Sequence, residues 1–265
     1  MAIENNSAGE RLINKVPAVT LVFWILKILA TTVGETAADV LSTTFKLGTV
    51  VTSYVMAAFL IISLIFQFRA RRYVPTIYWI VVVFISVVGT LISDNLVDNL
   101  GVPLETTSLI FTVVLAAVFA AWYMTERTLS VHTINTTRRE LFYWAAILFT
   151  FSLGTSAGDL LSERLGIGYA LSAVMFGVAI AIIFGIYRLG KMNGVLAFWL
   201  AYILTRPLGA SMGDLLTQGR DDGGLGLGTI PVSVVFLIGI VVGVIYLTRE
   251  ENARLGRDGR LANEG

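Results

Sequence analysis

Four times along this chain the same spaced pattern recurs: a tryptophan, nine residues, a glycine, four residues, an aspartate, one residue, a leucine. The copies are Trp24/Gly34/Asp39/Leu41, Trp79/Gly89/Asp94/Leu96, Trp144/Gly154/Asp159/Leu161 and Trp199/Gly209/Asp214/Leu216, and each tryptophan follows an aromatic residue, Phe23, Tyr78, Tyr143 or Phe198. Tryptophan occurs only five times in the chain, so four of them in register mark an internal repeat. The tryptophans are 55, 65 and 55 residues apart, so the first half maps on the second with an offset of 120. A unit that duplicated, and then duplicated again, leaves this spacing.

Each unit contains two apolar blocks close to the ~20 residues a helix needs to cross a bilayer. The blocks predict eight transmembrane helices at about 16–38, 49–68, 75–94, 106–124, 141–160, 168–187, 194–213 and 230–247. A soluble helical protein would show amphipathic stripes, but Val51–Phe68 and Leu109–Met124 carry no charge on any face. With 56% hydrophobic and 14% charged residues, against roughly 25% charged in soluble domains, the chain has more apolar surface than a water-soluble fold could hide. The expected fold is therefore all-α and polytopic, with repeats over about 16–72, 73–126, 138–190 and 191–248. Two helices per unit keep every copy in one orientation, so the copies should surround an axis along the membrane normal as a pseudo-fourfold bundle of four same-way hairpins.

Lysine and arginine divide unevenly between the two sides. Arg11, Lys15, Arg69, Arg71, Arg72, Arg127, Arg138, Arg139, Arg188, Lys191, Arg249, Arg254, Arg257 and Arg260 fall on one side, and only Lys46, Arg164 and Arg220 on the other. The positive-inside rule makes the first side cytoplasmic, with both termini there. Residues 1–15 read as a polar cytoplasmic tail without a cleavable signal, and 249–265 as a short disordered tail. A net charge of +1 gives no nucleic-acid footprint, and the absence of cysteine removes disulfides, thiolate metal sites and cysteine nucleophiles.

On the Trp/Gly/Asp/Leu frame at its four positions, the chain over about 16–247 resembles a family of bacterial membrane proteins made of four tandem two-helix repeats with a characteristic tryptophan, a family of unknown function. The resemblance implies the bacterial cytoplasmic membrane and the same eight-helix plan. It brings no substrate.

The repeated residues carry different expectations. Trp24, Trp79, Trp144 and Trp199 suit an interfacial belt or packing between neighbours, with substrate contact as the alternative. Gly34, Gly89, Gly154 and Gly209 sit mid-helix, where glycine costs about 1 kcal/mol against alanine. Close helix crossing would offset that, and a broken helix open to a ligand is the alternative. Asp39, Asp94, Asp159 and Asp214 stand at helix C-termini, where the macrodipole disfavours an acid. Either each caps a short outer helix, as in Asp159–Gly166 with Gly166 closing it, or symmetry gathers them into an acidic ring that attracts cations.

Charges that break the symmetry sharpen the second reading. Glu35 stands where the other repeats have Thr90, Thr155 and Ala210; Lys27 replaces Val82, Ile147 and Tyr202; and Arg206, followed by Pro207, lies within a span. Ionisable groups at such depth cost at least ~2.5 kcal/mol and should face a partner or a wet cavity. The sequence therefore predicts one outward-opening site of Glu35, Asp39, Asp94, Asp159 and Asp214 above a cationic floor of Lys27 and Arg206, against a structural salt-bridge network. His132 reads as a solvated loop residue, and Asp222–Gly228 is an outer loop and no phosphate cradle. No cofactor and no catalytic arrangement is indicated, so the chain is not expected to be an enzyme. Its partners would be the lipid bilayer and a small solute or ion, with no feature specifying an oligomer. A transporter or channel for a cation or a proton-coupled solute leads; a non-transporting scaffold or sensor working through protein partners is the alternative.

Overall fold

The computed structural model describes residues 14–264. Its eight long helices are α1 (Leu21–Asp39), α2 (Thr49–Arg69), α3 (Pro75–Asp94), α4 (Leu104–Glu126), α5 (Thr137–Asp159), α6 (Tyr169–Arg188), α7 (Gly194–Thr217) and α8 (Thr229–Glu264). All eight are long and apolar enough to cross a membrane, and no strand occurs among the described residues. The chain is an all-α, multi-pass membrane protein. Because two helices make one repeat, the tryptophans collect at one end of the bundle and the aspartates at the other.

The odd-numbered helices form an inner ring and the even-numbered ones an outer ring. In the most apolar stretch of each inner helix 61–67% of residues are buried, against 17–22% in the outer helices, whose remaining faces are free for lipid. Around the inner ring α1 packs on α3, α3 on α5, α5 on α7 and α7 back on α1. The two helices of one repeat are not each other's main partners. Instead each outer helix lies against the inner helix of the following repeat: α2 on α3, α4 on α5, α6 on α7, and α8 closes the circle on α1.

Two cyclic contacts hold this ring. The repeated glycines are notches: a Cβ on Gly34 would lie 1.8 Å from Ser86 Oγ, on Gly89 2.5 Å from Phe151 Cβ, on Gly154 2.3 Å from Arg206 Cγ, and on Gly209 1.9 Å from Thr31 Oγ1. Thr31, Ser86, Phe151 and Arg206 are equivalent positions of the four repeats, so one contact is made four times around the axis. The glycines therefore serve close crossing, and the helices run through them unbroken. At the other end, the aromatic before each tryptophan packs on the tryptophan of the next repeat. Ring centroids are 5.8 Å apart for Phe23 and Trp79, 5.5 Å for Tyr78 and Trp144, 6.2 Å for Tyr143 and Trp199, and 5.7 Å for Phe198 and Trp24. The tryptophans thus join neighbouring repeats; Trp79, Trp144 and Trp199 are buried and Trp24 half-buried.

Two expectations need correction. Residues 16–20 do not begin the first span: Pro17 precedes a Thr20 that caps α1 by accepting from Phe23 N–H at 3.3 Å, and the segment is tied down instead, with Lys15 N–H bonded to Ile134 O at 3.0 Å. Lys15 Nζ also pairs with the buried Glu140 at 2.7 Å, and Gln67 Nε2 bonds the same carboxylate at 3.0 Å. Residues 249–264 are helical where a disordered tail was expected, as the unbroken end of α8. A helix already nucleated in the bilayer extends at little cost through helix formers such as Glu251, Ala253, Arg254 and Leu255. The remaining tail expectation, on residues 1–13, lies outside the described residues.

Candidate functional site

A step of four residues along an inner helix rises about 6 Å and runs through residues equivalent in all four repeats, which fall into successive layers. From the tryptophan end the layers are Phe23/Tyr78/Tyr143/Phe198, Lys27/Val82/Ile147/Tyr202, Thr31/Ser86/Phe151/Arg206, Glu35/Thr90/Thr155/Ala210 and Asp39/Asp94/Asp159/Asp214. All members of the first four layers are buried. In the aspartate layer Asp214 is buried and the other three half-buried.

The aspartates converge. Asp39, Asp94, Asp159 and Asp214 line one cavity of about 160 Å³ together with Glu35, Asp98, Glu163, Val97, Leu104 and Gln218. That is seven carboxyl groups and no basic side chain. Asp98, Glu163 and Gln218, which the sequence reading missed, lie four residues after Asp94, Asp159 and Asp214. Continuing the step of four one rung past the aspartates would have found them.

The capping role is not what these aspartates have. Asp39, Asp94 and Asp159 keep right-handed helical backbone angles and make no capping bond, because the helix continues through them into a wider π turn. Those turns, Val40–Thr44, Asn95–Asn99 and Leu160–Arg164, close with bonds from Phe45 N–H to Val40 O at 2.9 Å, Leu100 N–H to Asn95 O at 3.1 Å and Leu165 N–H to Leu160 O at 2.9 Å. Such turns recur at functional sites. The glycine end of that expectation does hold: Gly166 has φ +66° and its N–H bonds Glu163 O at 3.1 Å. Repeat 4 differs, since α7 stays α-helical to Thr217.

Below the cavity, Arg206 reaches across from α7 to the three other inner helices at once. Its Nη2 donates to Glu35 Oε2 at 2.7 Å, to Thr155 Oγ1 at 2.7 Å and to Thr90 Oγ1. The three acceptors are one layer of the stack, whose fourth member, Ala210, is on Arg206's own helix. The guanidinium thus lies across the axis, fully buried, while Nε and Nη1 have no partner among the described residues. One layer further down, Lys27 is also buried, with Nζ 3.9 Å from the centre of the Phe151 ring, 4.3 Å from that of Tyr202, and no hydrogen-bond acceptor. Arg206 rests against the same Phe151 ring at 5.6 Å. Tyr78 and Tyr143 hydroxyls meet at 2.5 Å in the bottom layer.

Glu35 therefore has two neighbourhoods: it lines the cavity above and binds Arg206 below. Lys27 is separated from the carboxylates by the Arg206 layer. The salt-bridge reading accounts for Glu35 and Arg206 only, because the aspartates have no basic partner in the cavity. Among the described residues no three acidic or histidine groups are close enough to hold a metal ion between them. His132 is exposed in the 3₁₀ turn Val131–Thr133, far from this axis in sequence and on the tryptophan side.

A family profile described as Repeat of Unknown Function (DUF347) matches the chain four times in tandem, over residues 22–73, 77–128, 142–191 and 197–252. No curated protein and no solved structure matches it.

Proposed function

Since the chain belongs to this DUF347 repeat family, whose function is not assigned, we propose from its own geometry that it is a secondary carrier for a small cation, with the acidic chamber as its binding site. The observation that supports this most is the gathering of seven carboxyl groups around one cavity on the axis. Taking carboxyl groups out of water beside one another is costly without a counter-charge, and such a ring concentrates cations as carboxylate rings do in pores. The Arg206 layer beneath and the aromatic layer below it occlude the axis, so the reading is a carrier that alternates and no open channel. In the proposed orientation the basic tryptophan end faces the cytoplasm of a bacterium, both termini are inside, and the chamber opens outward.

The packed tryptophan half of the axis favours a second reading, a receptor that binds a cation and signals through protein partners without moving it. Purified protein in liposomes separates the two. Carriage predicts saturable uptake of a labelled small cation into the lumen, lost in an Asp94→Asn/Asp159→Asn variant that still reconstitutes. Binding at the chamber without any uptake would favour the receptor, and no binding would remove both.

A further inference from the structure

We infer that Arg206 is a built-in competitor for the carried cation, and that the cation is one bearing N–H donors, an organic ammonium or guanidinium. This rests on the reading of the chamber as a cation site and says what that site takes and how it responds. Among the described residues Glu35 alone of the acids both lines the cavity and touches a base, and what it touches is a guanidinium nitrogen shared with the hydroxyls of Thr90 and Thr155. A carboxylate flanked by two hydroxyls is a collar of acceptors for a planar or tetrahedral N–H cation, and the chain already fills it with its own.

Arg206 is poorly satisfied for a permanent cross-link. All three of its acceptors share the two N–H groups of Nη2, while among the described residues Nε and Nη1 are buried and unpartnered, which is expensive in a low-dielectric interior. Its backbone also lacks one helical hydrogen bond. Pro207 follows inside α7, so the ladder lacks an N–H there and the carbonyl four residues earlier, at Ile203, loses its helical partner. The Arg206 stem lies in the notch of Gly154, where a side chain would block it. A cation arriving from the chamber can exchange with Nη2 at Glu35, and the freed guanidinium then takes as its counter-charge another carboxyl group of the chamber wall. Charge at the collar is conserved through the exchange, so Glu35 is never left without a partner.

The test uses full-length protein in detergent with methylguanidinium, methylammonium and rubidium as probes, and binding by calorimetry. In Arg206→Gln the competitor is gone, and methylguanidinium should bind at least ~10-fold more tightly than in the wild type, equivalent to about 1.4 kcal/mol. Rubidium, with no N–H to donate, should gain less than ~3-fold by the same arithmetic. Adding Glu35→Gln to Arg206→Gln should abolish the gain. If Arg206→Gln does not give monodisperse protein, Arg206→Lys keeps the charge but loses the planar fork and should show the same order of probes with a smaller gain. Equal affinities in wild type and variant, with binding lost on Asp94→Asn/Asp159→Asn, would overturn the exchange and leave the chamber as a site. No binding of any probe to wild type or to a folded Arg206 variant would overturn both.

Discussion

The two ends of one axis are built from the same four helices and the same repeat, yet at one end aromatic rings pack together and at the other carboxyl groups surround a cavity. At the tryptophan end Phe23, Tyr78, Tyr143 and Phe198 interlock with the tryptophans of the neighbouring repeats; sixteen residues on, the same stripe holds four aspartates around a cavity of about 160 Å³. Symmetry determines where equivalent residues meet, but their volume and charge decide whether a layer packs or admits water and ions. Four aromatics gain area and favourable ring geometry by meeting. Four carboxyl groups gain nothing from each other, and the layer stays open. Between them, symmetry has to break: of the three intervening layers two each combine one base with dissimilar partners, since four copies of either Lys27 or Arg206 would repel.

The largest effect should come from damage common to both ends. Gly209→Leu drives a branched side chain into Thr31, 1.9 Å from where its first carbon would lie, and should prevent formation of a monodisperse protein by size-exclusion chromatography. Gly158→Ala is the contrast, because its Cβ would meet Ala210 at an ordinary 3.6 Å. That variant should fold and gain up to about 1 kcal/mol from helix propensity. Equal behaviour of the two would mean that the glycine notches do not hold the ring.

Next in size is the layer that divides the halves. Arg206→Met leaves Glu35 buried without its partner, a change that costs about 3–5 kcal/mol in proteins generally. It should lower the midpoint of thermal unfolding in detergent markedly, and Glu35→Gln in the same chain should recover most of the loss. Failure of the second change to help would mean that the arginine stabilises by packing against Phe151 and not through its charge. In the tryptophan half, Tyr143→Phe removes only the hydroxyl pair with Tyr78 and keeps the ring contacts, so the same measurement should fall by about 1 kcal/mol.

Much of this arrangement was legible from the chain. Eight apolar blocks and a period of two helices dictate an all-α bundle with equivalent inner helices, because lipid permits few other solutions and an even repeat cannot invert. The ring closure was not legible, since periodicity does not say whether an outer helix packs on its own repeat or the next. The π turns after Asp39, Asp94 and Asp159 were not legible either, because Val-Leu-Ser, Asn-Leu-Val and Leu-Leu-Ser share no helix breaker. Glu35 and Arg206 stand in adjacent axial layers, yet the pairing joins residues 171 apart in sequence, and the eight-residue spacings within α1 and α7 gave no hint of it.

The smallest stability effect, and the most informative, should come from the aspartate end. Asp94 has a half-buried carboxyl group that makes no capping bond, and its neighbours on the cavity wall are other acids. Asp94→Asn keeps the shape, removes one charge from a crowd of seven and breaks no ion pair. In buffer with only a bulky, excluded cation, its unfolding midpoint should therefore match the wild type or exceed it slightly, by less than about 1 kcal/mol. A bound small cation stabilises the folded state by RT ln(1 + [L]/Kd), about 2.7 kcal/mol at a hundredfold excess over Kd. That increment should appear in the wild type on adding methylammonium and shrink in Asp94→Asn, while Tyr143→Phe should retain it in full from a lower starting point. The two variants then move in opposite senses: one loses stability but not the cation's contribution, the other loses the cation's contribution but not stability. A large loss of stability in Asp94→Asn without ligand would instead make the aspartate layer part of the scaffold, and the contrast between a packed end and a binding end would fail.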